Sequence, residues 1–240
     1  SIENLLRTQQ QDYEQRRRIE IQLLQSQVNP HFLYNTLDSI RWMAVIQKSP
    51  GIEKMTRCLS SLLKNIAKGT QDKITVQEEL ALLHDYVEIQ SVRYMEAFTF
   101  VDQVPQALYS YRIIKLTLQP LVENAIFHGL EPKGGHGSVL LDISTDPATG
   151  DVLLRLTDDG IGMPPEQVAH LLDEPAEGAE KAEKFRHVGL WNVNRRIRYS
   201  FGEGYGLTIE SEEDVGTEVT IRLPYQQKGD SHAADTACGR

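Results

Sequence analysis

The stretch Leu118-Gln119-Pro120-Leu121-Val122-Glu123-Asn124-Ala125-Ile126-Phe127-His128-Gly129 gathers a carboxylate, an amide and an imidazole in one short helical segment. Asn124 and His128 stand four residues apart and share a helix face, with Glu123 beside them. An Asn amide oxygen is a hard ligand suited to Mg²⁺, a carboxylate nearby can order a metal-bound water, and an imidazole can approach a phosphate. A polar helix face capped by Gly129 accounts for the same residues. The rest of the chain has to decide between the two.

Downstream, Asp158-Asp159-Gly160-Ile161-Gly162 follows an apolar run at 152–157. Gly160 and Gly162 let the backbone approach a ligand without a Cβ in the way. A buried carboxylate at Asp158 can accept a hydrogen bond from the exocyclic amine of adenine; an ordinary Asp-Gly turn is the plainer alternative. Gly189-Leu190 reads as the opening of a helix whose free amides can hold phosphate oxygens. The Ala- and Glu-rich stretch 174–184 before it reads as a mobile loop. As a lid, that loop would offer Lys181, Lys184 and Arg186 to phosphates.

Around these motifs, short alternating runs at 98–101, 139–144, 152–157, 205–211 and 215–223 read as strands, and 112–128, 165–172 and 190–201 as helices. The expected result is a sheet with helices over one face, in the α+β class. Upstream the pattern is wholly helical. Residues 1–47 read as one long helix kinked at Pro30, just before His31. Ser49-Pro50-Gly51 turns the chain into a second helix ending at Gly69, which makes an antiparallel hairpin. A further helix, 76–95, starts at Thr75 with Glu78 completing a capping box.

The 240 residues carry 40% hydrophobic content, enough for real cores, and a formal net charge of -9. A pI near 5.3 leaves no footprint for a nucleic-acid partner, and the basic runs 16–18 and 195–198 read as solvated helix faces. Cys58 and Cys238 alone supply neither a disulfide framework nor a zinc site, which suits a reducing compartment. No apolar run approaches the roughly 18 residues of a membrane span and no signal peptide opens the chain, so it is expected to be soluble. Ser1 falls midway in a charged, Gln-rich helical pattern, and a piece of a longer protein is the expectation.

Taken together, residues 118–129, 158–162, Gly189-Leu190-Trp191-Asn192-Val193 and Gly216-Thr217 resemble, in order and spacing, one known ATP site. They are similar to the N, G1, G2 and final Gly-Thr elements shared by histidine kinases, gyrase, MutL mismatch-repair proteins and heat-shock chaperones. The resemblance implies an α/β sandwich that binds ATP with Mg²⁺. It makes Asn124 the metal ligand, Glu123 a base or water-orienting group, Asp158 the adenine reader, and Gly160, Gly162 and Gly189 backbone supports. His128, Leu190 and Thr217 complete the implied ATP contacts.

Ser26-Gln27-Val28-Asn29-Pro30-His31-Phe32-Leu33-Tyr34-Asn35-Thr36-Leu37 sets an imidazole after a helix kink. A neutral imidazole is a competent nucleophile near pH 7, although a packed or capping histidine also fits. The stretch resembles the phosphoacceptor segment of sensor histidine kinases of the LytS and YesM type, and the likeness runs from about residue 18 to 224. It implies that His31 is phosphorylated by ATP within a homodimer and passes the group to an Asp of a cognate response regulator. It also implies a cytoplasmic core preceded by a membrane-bound sensing part. Asn35, one turn after His31, either orients a water for dephosphorylation or bonds within the helical bundle, the preferred reading.

The implied division is 1–20 incoming helix, 21–95 dimerisation and phosphoacceptor region, 96–225 ATP-binding domain and 226–240 disordered tail. Two positions depart from the family pattern. Phe32 stands where a commoner kinase class has an acidic residue after its acceptor, leaving its role to a group such as Glu123 or Asp38. His187 stands where a lid glycine is frequent, and its Cβ restricts how closely the backbone reaches the phosphates. The alternative from another class is a nucleotide-gated interaction module of the same fold with little catalysis.

Overall fold

The computed structural model describes the backbone of residues 30–67, 73–173 and 181–225, with side chains from 32 to 65, 73 to 173 and 189 to 225. The expected incoming helix 1–20, the kink ahead of His31, residues 174–180 of the lid and the tail 226–240 lie outside the described residues. Two compact units divide the chain between residues 69 and 70.

In the first unit, helix α1 (Pro30–Ile46) and helix α2 (Pro50–Ala67) form the expected hairpin. Lys48, at φ 54, makes the reversal, and the Ser49 amide donates to the Ala44 carbonyl at 2.8 Å. Pro50 then opens α2, where a missing N–H costs no helical bond. The Tyr34 hydroxyl donates to the Leu63 carbonyl at 3.0 Å, tying the start of α1 to the end of α2.

The second unit begins with strand β1 (Lys73–Thr75) and helix α3 (Val76–Arg93). The capping box is complete: Thr75 Oγ1 accepts from the Glu78 amide at 3.2 Å, and Glu78 Oε2 accepts from the Thr75 amide at 2.8 Å. Contacts group α3 with this unit, whereas the expected division lies at 95. The α3 stripe Val76, Leu80 and Leu83 is buried, and the carboxylate of Glu79 bonds amides of residues 116–118. Arg112–Ile114, expected to be helical, forms strand β3 and pairs antiparallel with β1. That pairing is non-local, so the periodicity of 112–118 could not announce it.

Strands β2 (Phe98–Gln103), β4 (Gly137–Thr145), β5 (Val152–Asp158), β6 (Gly206–Glu212) and β7 (Gly216–Leu223) build a sheet in the order β2-β4-β5-β7-β6. β2 runs parallel to β4, and the other neighbours are antiparallel. Alternation buries Val139, Leu141, Ile143, Val152, Leu154, Leu156, Val219 and Ile221 on one face. The opposite face is half-open and polar, with Arg155 Nε 3.0 Å from Glu218 Oε1.

The remaining described helices of this unit are α4 (Gln119–Asn124), α5 (Pro165–His170), none of whose residues is buried, and α6 (Lys181–Phe201). Leu121, Val122 and Ile126 are buried from α4 and its continuation, and Leu190, Val193 and Ile197 from α6. The observed layer of helices on one face of a mixed sheet matches the expected α+β sandwich. Two local expectations fail. Gly129 does not end its helix: α4 continues as a π-helical turn, Ala125–Leu130, then a 3₁₀ turn, Glu131–Lys133, stopped by Gly134 at φ 78. Gly189 does not open a helix either, because α6 already begins at Lys181. The run Lys181 to His187 is rich in Lys, Ala and Glu, strong helix formers that extend the helix backward through 181–188.

Candidate functional site

Asp158 is the last residue of β5, opposite Thr217 in the ladder, and its side chain faces the helix layer at 7% exposure. Its Oδ1 accepts the Gly160 amide at 2.9 Å. Burial raises the carboxyl to about 6, against the pull of the Gly160 amide and with a further push from neighbouring Asp159. Asp159 turns the other way. Desolvation pushes its carboxyl up, but bonds from the Ser138 amide and hydroxyl, both 2.7 Å, and the charge of Lys133 hold it below the usual range.

Close backbone packing explains the glycines. A Cβ on Gly129 would stand 2.6 Å from Asp158 Oδ1, and one on Gly160 would run into the Gly129 backbone. The Ile161 amide donates to the Gly129 carbonyl at 3.0 Å, locking this turn onto the π-helical turn. Gly162, at φ +63, faces the Glu212 carbonyl so closely that no side chain fits. Ser211 joins the remaining edges: its hydroxyl receives the Met163 amide at 2.9 Å and meets both Gly216 O and Thr217 Oγ1 at 2.9 Å. Asp158, Gly129, Gly160, Gly162 and Thr217 thus form one interlocked cluster at the strand ends.

On the helix beside it, Glu123 ends exposed and Asn124 and His128 half-buried. Desolvation by the surrounding chain raises the Glu123 carboxyl above its ordinary value. Among the described residues no group of three or more His, Cys, Asp or Glu side chains gathers for a metal. A single amide oxygen at Asn124 fits an ion that arrives with phosphate oxygens and water, which is how Mg²⁺ is commonly held, rather than an all-protein cage. Gly189 sits inside α6, so its N–H is not one of the free amides at the start of that helix. Leu190 is buried at 1% exposure and acts as core. The side chains of Lys181, Lys184, Arg186 and His187 lie outside the described residues.

In the hairpin, His31 occupies the first turn of α1, its side chain outside the described residues. Asn35 is exposed on the same helix, and Phe32 is 66% exposed. Asp38 lies 3.3 Å from Arg41 Nε, a local ion pair. A groove of about 380 Å³ on the hairpin, lined by Asp38, Arg41, Arg57 and Lys64 among others, belongs to this unit and not to the Asp158 cluster.

Three residues escaped the sequence reading. Glu79 carries a weak signal, a lone acid inside the apolar stripe of α3. Ser211 carries none. Gly129 was visible only as a helix end, and its packing against Asp158 needs the fold.

Residues 110–227 match the family model described as "Histidine kinase-, DNA gyrase B-, and HSP90-like ATPase", and residues 19–98 match that of histidine kinase. The second unit is accordingly a nucleotide-binding α/β sandwich. The chain as a whole belongs to the histidine kinases, with the acceptor and ATP segments in tandem. It is 38% identical over 205 residues to the sensor histidine kinase YesM of Bacillus subtilis, covering 85% of this chain and 33% of that one. Identity is 31% over 210 residues to the sensor histidine kinase BtsS of Escherichia coli K12, covering 87% and 34%. It is also 31% over 220 residues to the sensor protein LytS of Bacillus subtilis, covering 89% and 35%. The chain therefore spans about a third of the length of these relatives. No described helix is long and apolar enough to cross a membrane.

Proposed function

We propose that this chain is the kinase core of a sensor histidine kinase, which moves the γ-phosphoryl group of ATP to His31 and then to an Asp of a response regulator. The observation that carries this reading is the interlock of Asp158 and Gly160 with Gly129. It sets a buried acceptor for the adenine amine against the helix that bears Asn124. Asn124 would hold Mg²⁺ on the phosphates, and the ion would neutralise charge there. Phosphoryl transfer asks for positioning and charge neutralisation more than for a strong base. An imidazole nitrogen of His31 forms the new N–P bond as the bond to ADP breaks, and the imidazole gives up its proton. The raised Glu123 carboxyl suits a group that takes a proton or orients the nucleophile near neutral pH.

The hairpin supports a homodimer. Phe32, Trp42, Met43 and Ile46 are 54–77% exposed on α1. Two helices cannot bury such a stripe alone, and pairing two hairpins gives a four-helix bundle. By analogy with relatives named as sensors, the intact protein is membrane-anchored with this core in the cytoplasm. Asn35, one helical turn after His31, either orients a water for dephosphorylation of the regulator or bonds within the bundle, the preferred reading; unchanged regulator dephosphorylation in Asn35→Ala with autophosphorylation retained removes the first.

Incubation with γ-labelled ATP and magnesium tests the proposal. We expect acid-labile, base-stable label that is lost in His31→Gln and reduced at least 100-fold in Asn124→Ala. Nucleotide binding without label in the wild type would leave the interaction-module reading in place of the kinase.

A further inference from the structure

Glu79 is 1% exposed on α3, and burying a carboxylate is unfavourable unless donors replace water. Three donors do so. Oε2 accepts the Leu116 amide at 2.9 Å, and Oε1 accepts the amides of Thr117 at 2.7 Å and Leu118 at 2.9 Å. These are the three residues that lead into α4, and Leu116 adopts φ 58, a backbone that leucine rarely takes unaided. The Thr117 hydroxyl closes the turn on the Ile114 carbonyl at 2.6 Å. Leu118, the N-cap of α4, supplies no side-chain cap. Burial pushes the Glu79 carboxyl above its ordinary value against the pull of these three amides, and by accepting their bonds it does from α3 what no local side chain does.

The same face of α3 grips the far end of that segment. Arg93, fourteen residues on and thus four helical turns away, stacks its guanidinium 5.3 Å from the Phe127 ring, between Asn124 and His128. α3 therefore braces both the entrance and the π-helical turn of the helix that carries Glu123 and Asn124.

We propose that Glu79 is a positioning residue of the nucleotide site, setting through the amides of residues 116–118 where α4 presents Glu123 and Asn124. The inference rests on the nucleotide reading of that site. Glutamine is the informative replacement: it keeps shape and one acceptor but turns an NH₂ toward amide donors. Thr75→Ala is the control, since it weakens the same helix at its cap without touching the turn.

The test compares Glu79→Gln, Glu79→Asp and Thr75→Ala in the full chain, measuring magnesium-dependent affinity for a non-hydrolysable ATP analogue and thermal midpoint. At matched loss of thermal midpoint, Glu79→Gln is expected to weaken binding at least tenfold, Glu79→Asp less, and Thr75→Ala under twofold. Equal weakening in Glu79→Gln and Thr75→Ala, or wild-type affinity in Glu79→Gln, overturns the proposal. Should Glu79→Gln not fold, the same comparison is decided with Glu79→Asp. Amide exchange across 119–130 provides a readout independent of ligand. If the wild type bound no nucleotide, the reading of the site would fall. Faster exchange in the Glu79 variant than in Thr75→Ala would then still uphold Glu79 as the brace, and equal exchange would remove it.

Discussion

A carboxyl raised to about 6 at the end of β5 makes the fold less stable as pH rises. The native Asp158 keeps its proton between its ordinary 3.8 and about 6, where the unfolded chain has lost it. Stability falls through that window, and the penalty is complete above it, at most about 3 kcal/mol. Asp158→Asn should therefore flatten the difference in stability between pH 4 and 6 and raise the melting temperature at pH 7, read from melts of both proteins at each pH. On the proposed nucleotide reading, the same variant should bind ATP at least tenfold more weakly, since adenine would lose its charged acceptor. Gly160 makes the opposite case. Adding one methyl group forces the Gly129 backbone away, so Gly160→Ala should cost about 2–4 kcal/mol in urea unfolding. Gly204→Ala, with nothing within 4 Å, should stay within about 0.5 kcal/mol. Asp158 and Gly160 were readable as a strand end and its turn, because an apolar run closes on an Asp before two spaced glycines. Glu79 was not, because its partners lie 37 to 39 residues away and an acid on an amphipathic helix reads as solvated.

The elements that declared themselves were those governed by local rules. Period-two alternation marked the five strands of the sheet, and Thr75 with Glu78 marked the start of α3, where the structure has both reciprocal bonds. Thr75→Ala should lower stability by about 1 kcal/mol, visible as a drop of roughly 2–4 °C in the melting temperature. Elements that depend on distant partners stayed hidden. β3 is three residues long and exists through β1. The π-helical turn arises in Ala125–Leu130, where Gly129 must meet Asp158 and Gly160, a demand that no helical spacing records. The first turns of α6 were missed for a different reason: their polarity was read as a loop, although Lys, Ala and Glu favour helix.

At the scale of the molecule, a helical unit followed by an α/β sandwich was legible from the change of period, while the division at 69 was not. Helical character continues through α3, and only its buried contacts assign it to the second unit. The sheet order carries a further consequence, for synthesis. β7 is made last of the described strands, yet it lies inside the sheet, between β5 and β6. A growing chain must hold β5 and β6 with open edges until Gly216–Leu223 emerges, and open edges invite wrong pairing. Ending the chain at residue 214 should give insoluble protein, whereas ending it at 225 should leave soluble yield and the thermal transition intact. For this domain, a ribosome that stalls a dozen codons early makes no partial product worth keeping.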